Sequence, residues 1–168
     1  MAAVQTKPAS QAGVQELGDE SFMSAADLRT YMDEMDMAKA MKEVDAMDRA
    51  EKARKELIKT LSTPASLEEI EEIVASVQRK VRSAAQRGAT ELMVMRFPCA
   101  LCTDKGRAIN NAEKDWPDTL TGRPREAYEF WRDHLRPAGY RLKAMIIEWP
   151  GGLPGDVGFF LQWGDAKR

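Results

Sequence analysis

The chain has 168 residues, 25 of them lysine or arginine against 27 aspartate or glutamate, for a formal net charge of −2 at pH 7. With 43% apolar and 31% charged residues it suits one compact domain plus an appendage, and the balance excludes a wholly disordered chain and a polybasic nucleic-acid binder. No apolar run approaches the roughly 18 to 20 residues of a spanning helix, and no apolar segment follows a basic one at the start, so neither a membrane span nor a secretory signal is expected; a cytoplasmic setting is.

Residues 1–20 mix small, polar and acidic types without periodicity and are expected to form a disordered tail, as are 165–168. From Ser24 to about Leu61 the residues are strong helix formers, with Ser24 as N-cap and Pro64 as the stop. Leu28, Met32 and Met35, then Met37, Met41, Val44 and Met47, and finally Leu57, Ile58 and Leu61 recur at helical intervals, with a phase slip between Met35 and Met37. Six of the ten methionines lie between 23 and 47, and the rest of the surface is dense in charge. A helix of roughly 38 residues is about 57 Å long, more than a small core can cover, so residues 21–63 are expected to form a Met-rich, partly projecting extension.

SLEEIEEIVASVQRKVRSAAQRG predicts a second helix, with Ser66 as N-cap, Glu69 completing a capping box and Gly88 as the stop. TELMVMRF, residues 90–97, predicts a strand with Leu92 and Val94 on one face, Met93, Met95 and Phe97 on the other, and both faces covered. A short helix within 99–113 and a Trp-Pro loop lead to a third long helix, PREAYEFWRDHLRPAG. YRLKAMIIEWPGGLPGDVGFFLQW then predicts an antiparallel hairpin. Its outward face carries Met145, Ile147, Trp149 and Phe160, which calls for a cover: the Met-rich helix, another helix, or a second copy of the chain. The fold class is therefore α+β over 65–164, a small three-stranded sheet packed with helices, with a long N-terminal helical extension. The helical crossover suggests that the first two strands run parallel.

Three places carry candidate chemistry. Cys99 and Cys102, the only cysteines, are spaced for a dithiol if Cys99 starts a helix that lowers its pKa. The alternatives are one half of a zinc site, for which one pair and the single His134 are too few ligands, and two small core residues, the favoured reading. The polar loop 103–116 offers Arg107 as an anion clamp and Glu113 or Asp115 as a base. Its other reading is a solvated loop anchored by Trp116. Residues 79–107 hold seven bases against two acids, which helix-dipole complementarity explains without nucleic acid. His134 reads as a surface or capping residue. No catalytic triad, phosphate loop or metal motif occurs in the sequence, and nothing in it calls for a cofactor or a metal.

The function expected is thus a non-enzymatic interaction or regulatory module, homo-oligomeric or partner-binding, acting through Met37, Met41, Val44 and Met47. A small ligand-binding domain or enzyme built on the 103–116 loop, and a thiol-redox protein using Cys99 and Cys102, are the alternatives.

Overall fold

The computed structural model describes residues 22–165. The tail expected at 1–20, and all but the first residue of that expected at 165–168, lie outside them. The chain divides into two compact units after Lys52. The division falls within the first helix, α1 (Ala25–Ser62).

In the first unit α1 begins where the sequence places it. The Asp27 N–H donates to Ser24 Oγ at 3.1 Å, which satisfies one of the donors that a helix start leaves open, and the Leu28 N–H makes the first helical hydrogen bond, to the Ser24 carbonyl at 2.8 Å. None of the residues 22–52 is buried.

The second unit takes in the last turns of α1, where Ile58 and Leu61 pack against its core. The helix closes as the hydroxyls of Ser62 and Thr63 donate to the Ile58 and Lys59 carbonyls, at 2.6 and 3.0 Å, and Pro64 follows. α2 (Leu67–Gln86) starts on the expected capping box: Glu69 N–H donates to Ser66 Oγ, and Ser66 N–H to Glu69 Oε2. The Ser66 N–H, and after it the Arg123 guanidinium, hold the Glu69 carboxyl below its usual range. The helix ends in a Schellman motif, with Ala89 N–H on the Ala84 carbonyl, Gly88 N–H on the Ala85 carbonyl, and Gly88 at φ +83°.

Three strands form the sheet: β1 (Glu91–Pro98), β2 (Arg141–Ile146) and β3 (Asp156–Gln162). Their order is β1-β3-β2, and β3 pairs antiparallel with both neighbours. The first two strands thus share a direction, as the crossover suggests, but are not hydrogen-bonded to each other, because β3 inserts between them. One face is the core face. Phe97, Val157 and Ile146 lie in one row across it, Met95, Phe159 and Ala144 in the next, and Leu92, Leu161 and Leu142 in the third. Phe97 is 0% exposed and meets Phe159 edge-on, with ring centroids 5.0 Å apart.

The strict alternation expected along β1 fails at a bulge between Met93 and Met95. The extra residue lets Val94 and Met95 both pack toward the core and sends Met93 to the other face. Met93 is 42% exposed, so β1 is not covered on both faces.

The crossover is mostly turns. A 3₁₀ turn (Cys99–Leu101) and the short α3 (Arg107–Asn110) stand where one short helix was expected, followed by a 3₁₀ turn at Trp116–Thr119. α4 (Gly122–Phe130) widens into a π-helical turn at Trp131–Leu135, where Arg136 N–H reaches back five residues to the Trp131 carbonyl. Its Ala127 and Tyr128 pack on the core, and Trp131 Nε1 donates to the Tyr140 carbonyl at 3.1 Å. Arg123 ties α4 to the preceding helices, donating to the Thr63 carbonyl and to Glu69.

Two substitutions test this packing. Phe97→Ala removes a fully buried ring and should cost about 3–5 kcal/mol, read from the denaturant midpoint. Gly122 has φ +60°, and a Cβ there would collide with the Leu61 carbonyl oxygen. Gly122→Ala should therefore cost about 2 kcal/mol or more by the same measurement, with no loss of side-chain contacts to explain it.

Candidate functional site

Two apolar surfaces, one in each unit, hold the expected interaction residues. In the first unit Met37, Met41, Val44 and Met47 are 67%, 67%, 57% and 72% exposed. They fall on one side of α1, because their separations of three and four residues keep each within a helical turn of the next. Leu28, Tyr31, Met32 and Met35 are also exposed, but the slip after Met35 turns them to a different side.

In the second unit the outer sheet face carries Met93, Met145, Ile147 and Phe160. Gly158, at the centre of the middle strand, has no side chain, and Phe160, Ile147 and the Met93 sulfur close over it so tightly that a Cβ would stand 2.9, 3.0 and 3.2 Å from them. Gly158 is accordingly buried. Trp149 and Met145 remain 47% and 38% exposed. Met93 belongs to this group and was hidden from the sequence by the bulge. Arg96 spans the end of the same face, donating to Asp156 at 2.7 Å and to Glu148 at 2.8 Å.

Cys99 and Cys102 are 7% and 3% exposed, unbridged, and part of the core cluster with Phe97, Leu101 and Ile109. Cys99 opens a three-residue 3₁₀ turn, which supplies no helix dipole of useful length. Cys102 lies in an isolated bridge to Leu120, so its presence beside Ile109 comes from the fold and not from a shared helix. Burial pushes the Cys99 thiol up, against the pull of the Arg54 guanidinium, and raises Cys102 to about 11. Cys99 Sγ donates to the Pro154 carbonyl at 3.1 Å. Such thiols yield little thiolate at neutral pH, whereas dithiol exchange needs thiolate.

The 103–116 loop brings two of its three candidates together. Arg107 forms a two-pronged ion pair with Glu113, at 2.7 and 3.4 Å, while Asp115 is exposed and enters no such pair among the described residues. Asp104 organises the loop by accepting from Gly106 N–H at 3.0 Å and Ala108 N–H at 2.8 Å. The ion pair occupies the guanidinium edge that would clamp an anion, and Arg107 is 63% exposed. The ligand argument from a parallel strand pair also lapses, since both pairings in the sheet are antiparallel.

A shallow groove of about 300 Å³ runs along α2 and is lined by residues of that helix alone, Arg79 and Arg82 among them. The local basic excess is divided: Arg96 and Arg107 are engaged by carboxylates, and Arg87 donates to Ser83. His134 is exposed and stacks near Phe130, ring centroids 4.7 Å apart. Among the described residues no group of three or more His, Cys, Asp or Glu is arranged to hold a metal ion, and no helix is long and apolar enough to cross a membrane. Compared with protein-family models, curated proteins and solved structures, the chain finds no match.

The thiols give a pH test. An unfolded cysteine ionises near 9.0, whereas folded Cys102 keeps its proton to about 11, so their contribution to stability is complete below pH 9.0 and declines as pH rises toward 11. Denaturant unfolding across that range should show the decline, and Cys102→Ala should flatten it. Arg107→Ala, by contrast, should shift the unfolding midpoint by about 1 kcal/mol or less, as for other exposed ion pairs.

Proposed function

We propose that this protein is a non-enzymatic interaction module, working in a cytoplasmic setting through the apolar side of α1 formed by Met37, Met41, Val44 and Met47. The observation that carries this reading is the exposure of those four side chains, 57–72%, on a helix that buries none of residues 25–52. Isolated helices are marginal in water, and helical stability in proteins comes mainly from packing of one face. A helix of this length with four large apolar residues in open solvent therefore gains from a contact. Methionine suits such a contact because its flexible thioether repacks against varied surfaces.

The exposed part of the outer sheet face, Met93, Met145 and Trp149, is a second, smaller surface of the same kind. Two buried reduced thiols agree with a reducing compartment. The engaged Arg107 and the buried thiols give the catalytic alternatives no specific support.

Full-length protein with Met37, Met41, Val44 and Met47 all changed to Ser is the test. The second unit should unfold at the same denaturant midpoint as the wild type. Amide exchange over residues 37–47 should quicken markedly in the variant at concentrations where the wild type is in its complex. Equal exchange in both at every concentration would show that the stripe contacts nothing.

A further inference from the structure

The charges on either side of the methionine stripe say what fits it. Residues 25–36 carry four acids (Asp27, Asp33, Glu34, Asp36) against Arg29, a net of −3, whereas residues 49–55 carry four bases (Arg49, Lys52, Arg54, Lys55) against Glu51, a net of +3. An acidic stretch, a middle that is apolar on one side only, and a basic stretch follow one another along the helix α1. Laid against its own reverse, that order is complementary. Laid parallel to itself, it puts acid on acid and base on base.

We propose that the occupant of the α1 stripe is a second copy of this chain, paired antiparallel about a twofold axis near Val44; the proposal rests on the reading of α1 as an interaction surface and specifies its partner. At 100° and 1.5 Å per residue, Asp33 and Lys55 lie about three turns on either side of Val44 and on nearly the same side of the helix as Val44. In the antiparallel pair Asp33 of one copy therefore stands opposite Lys55 of the other. Glu34 and Lys52 share one flank and meet across the axis, as do Asp36 and Arg54 on the other flank. The twofold doubles each pair. Between them the two Val44 side chains meet at the centre, Met47 sits over Ala40 of the other copy, and Met41 and Met37 lie next to Asp48 and Glu51 of the other copy, which border the apolar strip. Like charges set opposite one another in the parallel arrangement disfavour it, so the polarity selects direction as well as partner.

The test uses full-length chains with single cysteines introduced at exposed positions, Cys99 and Cys102 being buried. Antiparallel pairing brings Glu34 of one copy next to Lys52 of the other but leaves the two Glu34 positions about 30 Å apart. A short thiol–thiol cross-linker should join a mixture of Glu34→Cys and Lys52→Cys chains and leave either variant alone largely unjoined. Light scattering should give a dimer mass for the wild type. The double reversal Glu34→Lys with Asp36→Lys should weaken dimerisation about tenfold or more at low salt, and adding Lys52→Glu with Arg54→Glu in the same chain should restore it.

Self-cross-linking of Glu34→Cys would mean parallel pairing and would overturn the arrangement while leaving α1 as a self-association surface. A monomer mass at every concentration would overturn the second copy as occupant. Amide exchange over 37–47 that nevertheless differs between wild type and the four-Ser variant would then keep the interaction reading, and equal exchange would end both.

Discussion

Phe97 against Phe159 is the contact on which the second unit depends. It joins β1 to the middle strand at the centre of a small core, with Val157 fully buried beside it and Trp116 tilted onto Phe159 at 5.9 Å. Trp116 in turn meets Tyr128 of α4 edge-on at 5.5 Å, so a single chain of aromatic rings reaches from the sheet through the crossover to the helix behind it. The last turns of α1 add Ile58 and Leu61 to the same cluster. A core of so few buried side chains leaves little redundancy.

Much of this order was legible in the sequence, and each success has a local cause. Ser66 with Glu69, the Gly88 stop, Ser24 ahead of the first helix and the PGGLPG turn act through hydrogen bonds or dihedrals within a few residues of themselves. The failures are non-local. That β3 lies between β1 and β2 depends on which strands find one another across 60 residues, and no short pattern encodes it. The bulge at Val94 breaks a period-two pattern and can be seen only once β3 supplies the register. The crossover looked like a helix because its residues permit one, but the Cys102–Leu120 bridge and Asp104's grip on Gly106 and Ala108 cut it into turns.

The candidate sites follow the same division. That Cys99 and Cys102 are core residues could be argued from composition, since free cysteine is commonly buried, but the reason is that Cys99 bonds to the Pro154 and Gly155 carbonyls and Cys102 bridges to Leu120, which sequence spacing does not show. Arg107 and Glu113, expected as an anion clamp and a base, instead pair with each other. For the outer sheet face the sequence identified the residues but not their solution. Phe160, Ile147 and Met93 close over the empty place that Gly158 leaves in the middle strand.

The middle strand is also the one that comes last in the chain. While the protein is being made, β1 and β2 leave the ribosome with their apolar residues and unpaired backbone edges in place, and neither can pair until the segment 156–162 follows. During that interval Phe97, Ile146 and their neighbours have no native partner in the sheet, and a strand edge of this kind is a template for another copy of the same nascent chain. Because the strand that pairs with both others is the last of the three to be made, the sheet closes only once that strand is available, and the interval before it is the time at which the second unit is most open to misassembly.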